Sequence, residues 1–102
     1  MGVGIRDNSN TLHEFSGSGS ETKSSFPLSA GKWEIKITVS GAAKVQVFDT
    51  THSRVLQDFH KNVATSGTGF HILRRFHVQV ACSVNVIVNT SDLSWQGHLK
   101  KL

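Results

Sequence analysis

Cysteine is almost missing from this chain: Cys82 stands alone among 102 residues. A single thiol excludes an intramolecular disulfide framework and any zinc or iron–sulfur site built from several cysteines. Long apolar runs are missing too. No stretch approaches the ~20 apolar residues that a membrane-spanning helix needs, and positions 1–15 hold no apolar core of a secretion signal. No membrane partner is expected, and synthesis in a reducing cytoplasm is the corresponding expectation.

Catalytic signatures are equally scarce. No Gly-x-Ser-x-Gly elbow places a serine on a tight turn ahead of a helix. Gly67-Thr68-Gly69 lacks the further glycine, the lysine and the following helix of a phosphate-binding loop. Seven acidic residues give no reason to single out a pair for acid–base work. The six histidines offer no i,i+2 or i,i+4 partnership of the kind that metal sites use; His71 and His77 on one strand would lie about 20 Å apart. The expectation is a protein without catalysis, metal or cofactor. Asn89-Thr90-Ser91 matches a glycosylation acceptor but reads as a strand-end turn.

What the chain does contain is alternation. Trp33, Ile35, Ile37 and Val39 are interleaved with Lys32, Glu34, Lys36, Thr38 and Ser40. Period two with a β-branched apolar side is the pattern of a half-buried antiparallel strand. On a helix, at 100° per residue, the same four residues would scatter around the axis. Ser40-Gly41-Ala42-Ala43 interrupts the pattern and Val45 and Val47 resume it, which predicts a hairpin. Phe26-Pro27-Leu28 precedes it as an edge strand or irregular lead-in, since Pro27 has no N–H to donate.

The pattern returns later in the chain. Phe70 and Ile72 answer Phe26 and Leu28; Phe76, Val78 and Val80 answer Trp33, Ile35 and Ile37; Val84-Asn85-Val86-Ile87 answers Val45-Gln46-Val47-Phe48. Each half therefore reads as lead-in strand, long strand, turn, strand, either by duplication or because two β-hairpins look alike. Between them, residues 53–60 fit one helical face with Ser53 as cap, or a strand in keeping with its neighbours. Residues 1–10 are expected as a flexible arm and 16–25 as a Gly/Ser loop, with Leu93 and Trp95 in a last strand ahead of a basic tail. The sum is seven or eight short strands in one domain over 1–102. An all-β antiparallel sandwich follows, of jelly-roll or other Greek-key form.

The net charge of +4 comes from scattered lysines and arginines, without the interleaved aromatics of a single-strand binding groove. Ordinary solvated charge is expected, with weak electrostatic nucleic-acid binding as the lesser alternative. Apolar residues at solvent-facing positions are more informative. Phe48 and Leu73 fall out of phase with the apolar side of their strands, and Trp95 sits near the end. With Val3 and Ile5 of the arm they form the candidate contact surface, for which copies of the chain itself, foremost a trimer, are the expected partners.

The run from Phe26 to Gly41, Phe-Pro-Leu-Ser-Ala-Gly-Lys-Trp-Glu-Ile-Lys-Ile-Thr-Val-Ser-Gly, resembles a phrase common in small bacteriophage structural proteins. Val45-Gln46-Val47 and Val84-Asn85-Val86 look like the partner strands that follow it, so the likeness spans about residues 24–90. In the second half Leu73-Arg74-Arg75 stands where Ala-Gly is expected. The resemblance implies a jelly-roll module of a virion (head decoration, fibre or tail), assembling with itself and other virion proteins after synthesis in a host cytoplasm. It implies no functional residue. The alternative is a carbohydrate-binding module that stacks a glycan on Trp95 or Trp33.

Overall fold

The computed structural model describes residues 11–61 and 70–102. They form eight strands: β1 Leu12–Gly17, β2 Glu21–Leu28, β3 Gly31–Val39, β4 Ala43–Asp49, β5 Arg54–Lys61, β6 Phe70–Val78, β7 Cys82–Thr90 and β8 Trp95–Lys101. Two antiparallel sheets result, one in the order β1-β8-β3-β6 and the other β2-β7-β4-β5. We call them the first and second sheet.

The pairing follows one rule. β1 pairs with β8, β2 with β7, β3 with β6 and β4 with β5, so the chain doubles back on itself at the β4–β5 turn. The doubled ribbon is then rolled until β3 also pairs with β8 and β4 with β7. That is a jelly roll.

Alternation supplies the core. Trp33, Ile35, Ile37 and Val39 from β3 meet Val45 and Val47 from β4 and Val84, Val86 and Val88 from β7, all with at most 1 % of their surface exposed. Leu28, Val78, Trp95 and Leu99 complete the layer between the sheets. Cys82 is buried at the start of β7, where burial, and then the nearby Asp49 carboxylate, push its thiol upward in pKa.

Several expectations change at the joints between strands. The predicted β3–β4 hairpin is a corner instead: β3 lies in the first sheet and β4 in the second. The Asp92 carboxylate holds this corner, accepting from the backbone N–H groups of Ser40 and Gly41, the latter at 2.8 Å. Lys61 Nζ donates to the carbonyls of the same two residues at 3.2 Å. β6 and β7 cross between sheets in the same way, so the two halves do share a corner. They do not share a lead-in strand. Phe70 and Ile72 belong to the same strand as Phe76 and Val78, whereas Phe26 and Leu28 lie in the sheet opposite β3.

The loop expected at 16–25 shrinks to Ser18-Gly19-Ser20, because small polar residues pair into edge strands on either side. Gly19 takes φ 64° and Glu21 closes the turn. The ion pair from Lys23 at 2.7 Å and the Ser18 N–H at 2.8 Å hold the Glu21 carboxyl below the usual range. Residues 54–61 are a strand, not a helix, with Phe59 pointing into the core. The basic end is no tail, since Lys100 and Lys101 belong to β8. The arm at 1–10 lies outside the described residues.

Candidate functional site

Period two gives each sheet an outward set as well as a core. On the first sheet the registers assemble three rows across all four strands. Ser16, Gln96, Thr38 and His71 form one; Glu14, His98, Lys36 and Leu73 the next; Leu12, Lys100, Glu34 and Arg75 the third. Lys32 and His77 continue the face beyond β1.

A cleft of about 400 Å³ opens over the first two rows, lined by Glu14, Ser16, Lys36, Thr38, Gln96 and His98. The backbone of Gly97 contributes to its lining. A side chain there would meet Ile37 Cδ1 and the Lys36 carbonyl at 2.6 Å and the Phe15 ring at 2.8 Å, so glycine is what lets β8 lie between its neighbours.

Every side chain named in that lining carries a hydrogen-bonding group, and several are uncommitted. Lys36 is half-buried in mid-sheet and has neither an ion pair nor a hydrogen bond among the described residues; Glu14 and Gln96 are exposed and equally unengaged. Glu14 and Lys36 flank His98 from opposite strands, about 10 Å apart along the backbone at ordinary strand spacing, and do not pair with each other. The surroundings are fixed: His98 Nε2 meets Glu34 at 3.1 Å, Arg75 approaches Glu34 at 4.0 Å, and Thr38 shares a 2.8 Å hydrogen bond with His71 Nδ1. The cleft therefore offers a free ammonium, a free carboxylate and a free amide on a rigid sheet. No three His, Cys, Asp or Glu side chains among the described residues gather in a way that could hold a metal.

The second sheet presents a different outward face. Its outward charges are Lys44 and Asp58, one of each sign, with His60 beside them. Thr22, Asn85, Gln46 and Asn89 are neutral, and Phe48 stands directly opposite Val55, with Ile87 on the strand beyond.

The expected contact residues do not come together. Leu73 is exposed, at 48 %, on the first sheet, while Phe48 is half-buried on the second. Trp95 overturns its expectation: it is only 2 % exposed, packs edge-on to Phe15 at 6.3 Å and donates Nε1–H to the Gly19 carbonyl at 2.8 Å. Its inward turn follows from Gly17, directly opposite, which leaves room for the indole. Val3 and Ile5 lie outside the described residues. Trp33 is fully buried, with Nε1–H bonded to the Ser29 carbonyl at 2.8 Å, so neither tryptophan offers a stacking platform. The sequence did mark Lys32, Glu34 and Lys36 as a wet side. What it did not show was that β8 and β1 would bring Gln96, His98, Glu14 and Ser16 beside them.

No family model and no curated protein matches the chain. Solved structures do. A carbohydrate-binding module from Cellvibrio mixtus lichenase 5A, in complex with cellotriose, superposes with a TM-score of 0.56 at 13 % identity, over 92 % of this chain and 88 % of that one. The C-terminal CBM6 of LamC, a marine laminarinase from Zobellia galactanivorans, gives 0.52 at 11 % identity, over 92 % and 90 %. These likenesses show the fold alone. The structure of infectious bursal disease virus reaches a TM-score of 0.34 at 9 % identity, over 90 % of this chain and 30 % of that one, and carries no argument about this chain.

Proposed function

We propose that this chain is a non-catalytic jelly-roll module that binds carbohydrate on the outward face of its first sheet. The observation that carries the reading is the cleft there, which holds unengaged donors and acceptors side by side: Lys36, Gln96 and Glu14, with Ser16 at the rim. A sugar ring presents alternating hydroxyl donors and acceptors, and a rigid sheet meets them without ordering a loop. Both of the superposing modules that share the jelly roll bind or are named for binding carbohydrate, which agrees with this reading. Recognition here would rest on hydrogen bonds and not on stacking, since both tryptophans are in the core. Weak affinity and strong dependence on hydroxyl geometry follow.

The test is a titration with neutral oligosaccharides followed by backbone amide NMR. The expected result is a set of shifts confined to Glu14, Ser16, Lys36, Gln96 and His98. Gln96→Ala should weaken binding about tenfold, the value of one or two lost polar contacts, and leave the unfolding free energy within about 0.5 kcal/mol of wild type, as for exposed positions generally. Shifts spread over the second sheet, or none with any saccharide, would sink the reading.

A second reading, assembly within a virion, is favoured by the other face. Phe48, Val55 and Ile87 lie together on a sheet surface whose two charges cancel, so two copies could meet there without repulsion. Light scattering across a concentration series is the check. A concentration-dependent oligomer that Phe48→Glu reduces to monomer supports assembly through this face, while monomer at every concentration removes self-association as its basis.

A further inference from the structure

The charge on the first sheet is not balanced. Its outward positions carry four permanent cations, Lys32, Lys36, Arg75 and Lys100, against two carboxylates, Glu14 and Glu34. Glu34 is already engaged, by His98 at 3.1 Å and Arg75 at 4.0 Å, and only 14 % of its side chain is exposed. The side chains of Lys32, Lys36 and Lys100 have no ion pair or hydrogen bond among the described residues. They also follow one seam. Lys36 and Lys32 are four residues apart on β3, about 13 Å, and Lys100 sits between them on β8, opposite Glu34. The second sheet has no such excess, because Lys44 and Asp58 cancel.

We infer that the saccharide this face is built for is acidic: a chain of sugars carrying carboxylate or sulfate groups, laid along the β3–β8 seam. The inference rests on the carbohydrate reading above and sharpens it. A neutral glycan would satisfy Gln96, Ser16 and Thr38 but leave three ammonium groups in the same seam without a partner. An anionic chain meets the lysines at successive residues while its hydroxyls take the polar row. Lysine suits this task, since a flexible stem can carry a point charge to an anion whose position varies along a polymer. Glu14, at the far wall, works against the anion and confines it to the lysine side of the cleft. The charge step between Lys36 and Glu14 would thereby set the direction in which the chain lies.

The experiment compares three ligands of matched length with the full chain: an oligogalacturonate, its methyl ester, and a sulfated oligosaccharide. At low salt the acidic ligands should bind ~10-fold tighter than the ester, the size of one charge-assisted contact. That advantage should shrink toward nothing at about 0.5 M salt, where screening is nearly complete over the width of the seam. Lys32→Met and Lys100→Met together, which keep the apolar stems and lie outside the cleft lining, should remove most of the advantage and leave ester binding in place. Glu14→Gln should raise the affinity for the acidic ligands relative to the ester, and Lys44→Met on the second sheet should change nothing. The two acidic ligands set a carboxylated chain against a sulfated one, so the tighter binder indicates which class of acidic saccharide the face prefers. Equal binding of acid and ester overturns this inference and leaves the carbohydrate reading standing. Failure of all three to bind overturns both. If a polyglutamate of equal charge binds as tightly and with the same dependence on Lys32 and Lys100, the face exchanges anions of any kind and the inference about sugars is wrong.

Discussion

Trp95→Ala should destabilise this domain too strongly to serve as a report on any ligand. The indole is 2 % exposed and lies between Phe15, on the neighbouring strand, and the glycine at position 17. Its Nε1–H is also the contact that ties the β1–β2 turn to β8, through the Gly19 carbonyl at 2.8 Å. Removing it leaves a cavity the strands cannot close, because Trp95 and Gly17 are held in register by the β1–β8 ladder. Truncations of this size in a packed core cost about 3–5 kcal/mol, a large share of the ~5–15 kcal/mol that holds a small domain together. Urea unfolding followed by far-UV circular dichroism measures it. Trp95→Phe should recover a good part of the loss, since it restores most of the packing but not the hydrogen bond. An alanine variant as stable as wild type would mean that the indole is not in the core. The consequence for function is direct: loss of glycan binding in this variant would say nothing about stacking.

The second large effect belongs to Asp49, a carboxylate with no exposed surface at the end of β4. One oxygen accepts from the backbone N–H groups of Thr51 and His52 at 2.9 and 3.0 Å; the other meets His52 Nδ1 at 2.8 Å and Arg54 Nε at 3.3 Å. These contacts form the one tight turn on which the doubled ribbon is folded, with Ser53 at φ 53° inside it. Burial alone would raise the carboxyl pKa, and it is the largest single influence. The hydrogen bonds and charge of His52, with help from Arg54, together outweigh it and hold the pKa below its ordinary 3.8. A lowered carboxyl favours the folded state wherever the group is ionised. Its stabilisation is complete above the ordinary value and fades as pH falls through the lower, folded-state value. Asp49→Asn should therefore lose about 3 kcal/mol at neutral pH, the scale of a broken buried polar network. The gap to wild type should narrow steadily in acid. Unfolding midpoints taken from pH 7 down to pH 2 (a range chosen to bracket roughly the ordinary carboxyl value) make the comparison. A gap that stays constant with pH would show that Asp49 acts by shape and not by charge.

Both effects arise at places where the sequence pattern was silent, and the reason is the same in each. Alternation tells which side of a strand faces the core. Trp33, Ile35, Ile37 and Val39 all obey it, as do Val84, Val86 and Val88. It correctly put Leu73 and Phe48 on outward sides, and it separated Lys32, Glu34 and Lys36 from the core. It says nothing about Trp95, whose surroundings depend on a glycine 78 positions earlier in the chain. Nor could it show the cleft, because Glu14, Lys36 and Gln96 come from three strands that are neighbours only after the ribbon rolls.

The amino-acid sequence by itself determined the class of fold: strands in place of helices, one apolar side to each, and a thin core of branched and aromatic residues. Which sheet each strand joins was decided only in three dimensions. A hairpin and a corner make the same demand on the pattern, since in both arrangements the apolar sides of β3 and β4 must end up in the same core. The choice between them falls to a few long-range polar contacts. Asp92 holds the Ser40–Gly41 corner from 50-odd residues away, and Asp49 keeps the β4–β5 turn. With β8 seated between β1 and β3, the outward lysines acquire the neighbours that line the proposed site.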